Sequence, residues 1–335
     1  MNIYNDVRSR KNAERFHLLA ISSCIGFAII LYALTSMLFS KLLGVIYNSM
    51  DYETYKRLAE SSIFNNAVYI VYSLTCVALP FFLTHLIMRK CTDTSLLYGK
   101  PKKGGGLVPA TVIGLGLCVL GNYATTVFTF FTEALFSSRP TGAPSDITSV
   151  EQISLAGFFV SVIATAVMPA LVEEFAIRGV VMQPLRKYGD KFAVVISALV
   201  FSIIHGNFQQ IPFAFVVGLA LGYVVIRTGS IWAGVLLHFL NNFWASCSEY
   251  LSYLVPDWAY VIYSASNIVV CIAAIICAIL LYKRDVKAGI TSGVLEKPDC
   301  ILSVFDKSVF VIYSPTFLVG IIHLFYSALQ NFIKV

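Results

Sequence analysis

Residues 192–226 read FAVVISALVFSIIHGNFQQIPFAFVVGLALGYVVI, 35 residues without a single Asp, Glu, Lys or Arg. A helix needs about 20 apolar residues to cross a bilayer. This stretch is too long for one crossing and long enough for two short ones. Asn207-Phe208-Gln209-Gln210 and then Pro212 interrupt it. A polar tetrad beside a helix breaker reads as a tight turn. The stretch is therefore expected to form a helical hairpin inside the membrane.

Seven further charge-free runs flank it, at 16–40, 61–88, 104–132, 152–172, 228–248, 258–282 and 308–333. The expected fold is an all-α polytopic membrane bundle of about nine transmembrane helices, with eight to ten as the range. Composition agrees. Of the 335 residues, 58% are hydrophobic and 13% charged, about half the charge of a typical soluble domain. That is too little charge to coat a soluble globule, and too much hydrophobicity for disorder. The eight cysteines form no CxxC pair, so neither a disulfide framework nor a zinc ribbon is indicated.

The net charge of +6 sits in short segments between apolar runs, which is a topology signal and not a nucleic-acid surface. Arg8, Arg10, Lys11 and Arg15 precede the first run. Arg89, Lys90, Lys100, Lys102 and Lys103 follow the second. Arg186, Lys187 and Lys191, then Arg227, then Lys283, Arg284 and Lys287 complete the pattern. The intervening loops carry Asp51, Glu53, Glu60, Asp146, Glu249 and Asp257. All basic clusters fall on one side if the N-terminus is cytoplasmic. The first run is too long for a signal-peptide core and reads as an uncleaved anchor. Three regions are expected: spans 1–3 in residues 1–149 with a cytoplasmic linker near 100–106, a core in 150–250, and C-terminal spans in 251–335. The stretch Arg139–Asp146 reads as an outer loop. The expected location is a multi-pass position in a bacterial cell membrane.

Polar residues inside the membrane concentrate in the core. Apolar character continues past Val172 through Leu185, with Glu173, Glu174 and Arg178 set inside it. A charge at membrane depth costs roughly 2.5–3.5 kcal/mol on insertion scales, and marks a functional site by default. Glu174 and Arg178 are four apart and share a helix face. Glu173 is turned about 100° away and has no partner in its own helix. His205 lies one turn after Phe201, and Asn242 one turn after His238. Counting residues from the basic loops puts Glu173 and His205 roughly 20 Å deep and His238 roughly 16 Å deep, so one layer of the bundle holds all three.

A carboxylate and an imidazole in a low-dielectric cavity can share the activation of one water. Hydrolysis of a peptide then needs donors for the oxyanion, and His238 with Asn242 offers two on one face. Arg178 would fix Glu174, and Phe201 would limit the rotamers of His205. The same residues admit a second chemistry. Glu173, His205 and His238 form a His₂Glu set, a known catalytic zinc set with an open position. The absence of an HExxH helix favours water activation without a cofactor, with zinc as the alternative. No GxSxG elbow is present.

Three motifs in order resemble those of the CPBP intramembrane proteases, the type II CAAX prenyl endopeptidases and bacteriocin-processing relatives. Glu173-Glu174-Phe175-Ala176-Ile177-Arg178-Gly179 is similar to EExxxR, Phe201-Ser202-Ile203-Ile204-His205 to FxxxH, and His238-Phe239-Leu240-Asn241-Asn242 to HxxxN. The resemblance covers about residues 150–250. It implies a helical fold with a cavity opening to the membrane and the cytoplasmic side. It implies water activation by Glu173 and His205, and oxyanion stabilisation by His238 and Asn242. The implied partners are membrane lipid and a membrane-anchored peptide or protein, CAAX-like or leader-like, cut near the cytoplasmic leaflet. The family also contains immunity and scaffold proteins, so a non-enzymatic role is the competing expectation. A proton-coupled transporter is weaker, since no repeated halves are visible.

Overall fold

The computed structural model describes residues 3–90, 99–102, 104, 106–136, 154–288 and 300–333. The loop expected at Arg139–Asp146 and Cys91 lie outside them. The described residues are helical and contain no strand. We number the helices α1 (Ile3–Asn48), α2 (Tyr52–Glu60), α3 (Ser62–Met88), α4 (Leu107–Phe136), α5 (Leu155–Tyr188), α6 (Asp190–Ile204), α7 (Ile211–Thr228), α8 (Ile231–Leu254), α9 (Pro256–Lys287), α10 (Val304–Ile312) and α11 (Pro315–Ile333).

Short polar side chains start several of them. The Asp51 carboxylate accepts from the Thr54 N–H, Ser61 from Phe64, Ser154 from Gly157 and Ser303 from Asp306. Each satisfies one of the N–H groups that a helix start leaves without an intrahelical partner. The Asp51 cap holds that carboxyl below the usual carboxylate range. At the other end of α7, Gly229 takes φ 66° and its N–H caps the Ile226 and Val225 carbonyls, a left-handed turn in which a side chain is disfavoured.

Among the described residues each of the eight charge-free runs is mostly helical, and the 192–226 run is a hairpin: α6 ends at Ile204 and α7 begins at Ile211. The span count of nine is not established. Among the described residues six helices are long and apolar enough to cross a membrane: Asp6–Asn48, Ser62–Met88, Leu107–Thr132, Leu155–Tyr188, Ile211–Thr228 and Pro256–Lys287. α6 is too short at 15 residues. α8 carries His238, Asn241, Asn242 and Glu249, which lower its hydropathy. The 308–333 run is not one rod. It bends by 76° between α10 and α11, where Pro315 cannot continue the preceding helix. Counted together, that pair would make a seventh span.

α4 packs against α7 and α9, α1 against α11, α10 and α3, and α6 against α7. α8 touches α5, α7 and α9. One continuous apolar core runs through the bundle, from Leu18 and Ile25 in α1 to Val181 in α5, Leu221 in α7 and Leu237 in α8. The outer faces are apolar as well. α9 exposes Ile268, Val269, Ile272, Ile275, Ile276 and Ile279, as a lipid-facing helix should.

Several of the basic residues are held together at one end. Arg15 and Lys11 reach Asp306 at 2.8 and 3.1 Å. The buried Lys307 ammonium donates to the Tyr188 carbonyl at 2.6 Å. Arg227 pairs with Asp285 at 2.8 Å, Arg284 donates to the Gly104 carbonyl, and the Lys102 N–H donates to the Thr228 carbonyl.

Candidate active site

α5 is continuous from Leu155 to Tyr188 but is wound as π-helix over Ile163–Val167 and Glu174–Met182. Such segments add a residue to a turn and recur at functional sites. The second begins at Glu174, so the motif Glu174–Arg178 lies wholly inside it.

Glu174 and Arg178 are both fully buried, with Arg178 Nη1 3.1 Å from Glu174 Oε1. The approach is an ion contact and not an aligned hydrogen bond, since Nη1 has no hydrogen-bond partner. Arg178 Nη2 instead donates to the Gly218 carbonyl of α7 at 3.1 Å. Its guanidinium lies over the Phe201 ring, 4.6 Å from the centroid, a geometry that favours a cation. Three helices, α5, α6 and α7, therefore hold one arginine.

The same Glu174 Oε1 meets His238 Nδ1 of α8 at 3.0 Å. A carboxylate can only accept, so Nδ1 carries the hydrogen. His238 Nε2 then faces Glu173 Oε2 at 3.9 Å. Reading within one helix pairs Glu174 with Arg178 and leaves Glu173 alone. The fold adds His238 between the two carboxylates, with Arg178 beyond. Gly234, one turn before His238, makes room for this. A Cβ there would lie 2.7 Å from Glu174 Oε2 and 2.6 Å from Val225 Cγ2, closer than side chains approach. The only sequence signal for it is a glycine four residues before His238.

His205 follows the last residue of α6 and is exposed. Its Nδ1 donates to the Phe201 carbonyl at 2.7 Å, which leaves Nε2 as a free acceptor in the neutral ring. Phe201 meets His205 edge-on at 4.7 Å and His238 at 5.9 Å. One aromatic ring thus touches both imidazoles and the arginine. Tyr32 of α1 donates to the Ile204 carbonyl at 3.0 Å, beside the His205 peptide. Nothing in the sequence marks that tyrosine, since it reaches the site from another region of the chain.

Asn242 is half-buried. Its amide donates to the Thr165 carbonyl at 3.0 Å, and its oxygen accepts from Asn241 at 3.0 Å. Thr165 belongs to the first π-helical segment of α5. One amide N–H of Asn242 is therefore engaged and one remains. The two-donor face expected from His238 and Asn242 is modified accordingly. In the geometry found, His238 Nε2 is a donor only when the ring is cationic.

The zinc alternative needs Glu173, His205 and His238 around one point. Among the described residues no three His, Cys, Asp or Glu side chains are placed to hold a metal ion. Glu173, His205 and His238 as placed do not gather around one ion.

Two cavities reach the site. One of about 690 Å³ is lined by His205, Asn122, Thr125, Thr126, Tyr263 and Asn267 among others. One of about 440 Å³ is lined by Asn241 and Asn242 together with Leu115, Leu240 and Phe243. Glu173 is in neither lining and is itself only about one-fifth exposed.

Residues 155–244 match the family model described as type II CAAX prenyl endopeptidase Rce1-like. No curated protein and no solved structure matches the chain. The matched segment runs from the first turn of α5 to α8 and holds both glutamates, the arginine, both imidazoles and Asn242. Over that segment, this multi-pass membrane chain is similar to the type II CAAX prenyl endopeptidases, a group of the CPBP intramembrane proteases.

Proposed function

We propose that the protein hydrolyses a peptide bond in a membrane-anchored peptide or protein by activating water with Glu173 and His205. The observation that supports this most is the linked set Arg178–Glu174–His238–Glu173. Burying two adjacent carboxylates and an imidazole in an apolar bundle costs several kcal/mol unless they are paired. Arg178 and His238 both meet Glu174 at Oε1, while Glu173 keeps only the longer contact and partial exposure. Glu173 is the carboxylate left to accept a proton.

In this scheme the water oxygen attacks the scissile carbonyl carbon while its proton passes to Glu173, with the His205 Nε2 lone pair orienting it. The negative oxygen of the tetrahedral intermediate takes the second Asn242 N–H, and the His238 Nε2 hydrogen when that ring is cationic. The intermediate collapses with cleavage of the C–N bond, and the proton held by Glu173 passes to the leaving amine. Arg178 and Phe201 act as positioning residues for Glu174 and for the two imidazoles. The scheme needs no metal.

The test does not require a known substrate. New peptide termini are compared in membranes carrying the wild type and Glu173→Gln. The variant keeps size and hydrogen bonding but removes the base. Loss of general-base catalysis is worth roughly 10²–10⁴-fold, so a set of termini should vanish while the amount of folded protein is unchanged. Identical termini in both membranes would sink the hydrolase reading and favour the immunity or scaffold role. Excess chelator added to isolated wild-type membranes should leave the Glu173-dependent termini intact.

A further inference from the structure

The two cavities share the lining residues Asn122, Phe213, Tyr263 and Asn267, so they lie side by side between α4, α7, α8 and α9. Its depth can be counted along the helices from the basic end. His205 is 14 residues beyond Lys191, Asn122 is 15 beyond Leu107, Phe213 is 14 before Arg227, and Asn267 is 17 before Arg284. At 1.5 Å per residue these are all about 20 Å or more from the basic end. The other residues of the larger cavity, Thr126, Gln210, Tyr260 and Ser264 among them, are further still. The midplane of a hydrocarbon core about 30 Å thick lies about 15 Å in. The larger cavity is therefore wholly in the half of the bilayer away from the basic clusters. Only the smaller, apolar cavity reaches back past the midplane, to Leu115.

The space also holds unspent polar groups. The Asn267 side chain is about 95% buried and lines both cavities, and its Oδ1 has no hydrogen-bond partner. Thr125 Oγ1, in the lining of the larger cavity, has none either. A buried acceptor left unmade costs about 1–3 kcal/mol, and native proteins rarely leave one without a reason. An extended peptide carries backbone N–H donors at regular spacing and would satisfy both.

We infer that the site is loaded from the outer face of the membrane, and that its substrate is an exported, membrane-anchored peptide segment. Its backbone lies along Thr125 and Asn267, and an apolar side chain fills the pocket between Leu115, Leu240 and Phe243. The inference rests on the protease reading for the nature of the ligand. It departs from the cytoplasmic-leaflet cleavage that the family resemblance implies, because the basic clusters at 8–15, 186–191, 227 and 283–287 lie at the opposite end of the bundle from the His205 cavity.

Sidedness of chemical access tests it in the full chain. Thr126→Cys and Ser264→Cys put a thiol in the larger cavity by small changes on two different helices, and Lys187→Cys puts one at the basic end. Each is treated with a membrane-impermeant maleimide in intact cells and in inverted vesicles, against the wild type with its own eight cysteines. Thr126→Cys and Ser264→Cys should gain label in intact cells, and Lys187→Cys only in inverted vesicles. External labelling of Thr126→Cys should also reduce the Glu173-dependent termini severalfold. Gain of cavity label only in inverted vesicles, or from neither side, overturns the inference, as does external labelling of Lys187→Cys. Inside-only cavity labelling together with Glu173-dependent termini sinks the outward site and leaves the protease reading. Outside labelling without any such termini sinks the protease reading and the peptide ligand with it.

Discussion

Two ion-pair networks in this molecule use opposite charges for different ends. In the middle of the bundle, Glu174 and Arg178 are both fully buried and are joined by His238. At the basic end, Asp306 gathers Arg15 and Lys11, with side chains 17%, 30% and 37% exposed. The outer pair sits where water competes, so forming it costs little desolvation and gains little. The inner pair has no such competitor. There the attraction is strong, but so is the penalty for any charge left over. The difference teaches which network is structural convenience. A surface pair can join α1 to α10 in many ways, whereas the central set is tolerable only as a complete unit, and its incomplete member, Glu173, marks the chemistry.

The contrast predicts its largest effect at Glu174. Glu174→Gln leaves Arg178 as an uncompensated charge inside the bundle, and breaking a buried pair from one side typically costs about 3–5 kcal/mol. Expression in membranes and thermal resistance in detergent should both fall sharply. A double variant, Glu174→Leu with Arg178→Met, removes both charges. It should recover much of the folded protein while remaining inactive, because His238 loses its orienting carboxylate. A single variant that is stable yet inactive, beside a Glu173→Gln that still cleaves, would reverse the roles of the adjacent glutamates.

Asn242→Ala comes next. It removes one proposed oxyanion donor, and such donors are worth about 10²–10³ in turnover. It also releases the Thr165 carbonyl. Glu173-dependent cleavage should drop by that factor with little change in apparent substrate affinity. A rise in KM at unchanged kcat would instead assign Asn242 to binding the substrate or bracing the π-helical segment of α5.

Much of this architecture is legible in the amino-acid sequence. Charge-free runs mark the helices, the Asn207–Pro212 break marks the hairpin, and helical spacing puts Glu174 with Arg178 and His238 with Asn242. The rest is hidden for physical reasons. Spacing arguments see neighbours on one helix, so the bond from Glu174 to His238, 64 residues away, is invisible to them, as is the approach of Tyr32. A π-helical segment differs from an α-helix by about one residue per turn and leaves no composition signature, so nothing in the residues of α5 announces its two. Pro315 is in plain sight. The run around it is uniformly apolar, and apolarity alone does not reveal the 76° bend.

The smallest effect is expected at the basic end, and it sharpens the comparison most directly. Asp306→Asn removes the partner of Arg15 and Lys11 but leaves both cations partly in water. It also retains an amide that can accept from Arg15 Nη2, which now donates to the carboxylate at 2.8 Å. Exposed pairs contribute about 0–1 kcal/mol, and the headgroup layer adds screening by salt. The variant should therefore insert with wild-type orientation, accumulate normally and lose little thermal resistance, with that loss shrinking further at high salt. The N–H of Asp306 is held by Ser303 Oγ as the cap of α10, and that bond survives the substitution, so the helix start is not at risk. A loss as large as that of Glu174→Gln, insensitive to salt, would mean that the basic end carries the fold as a closed network too. The distinction between a complete central unit and an adaptable outer one would then fail.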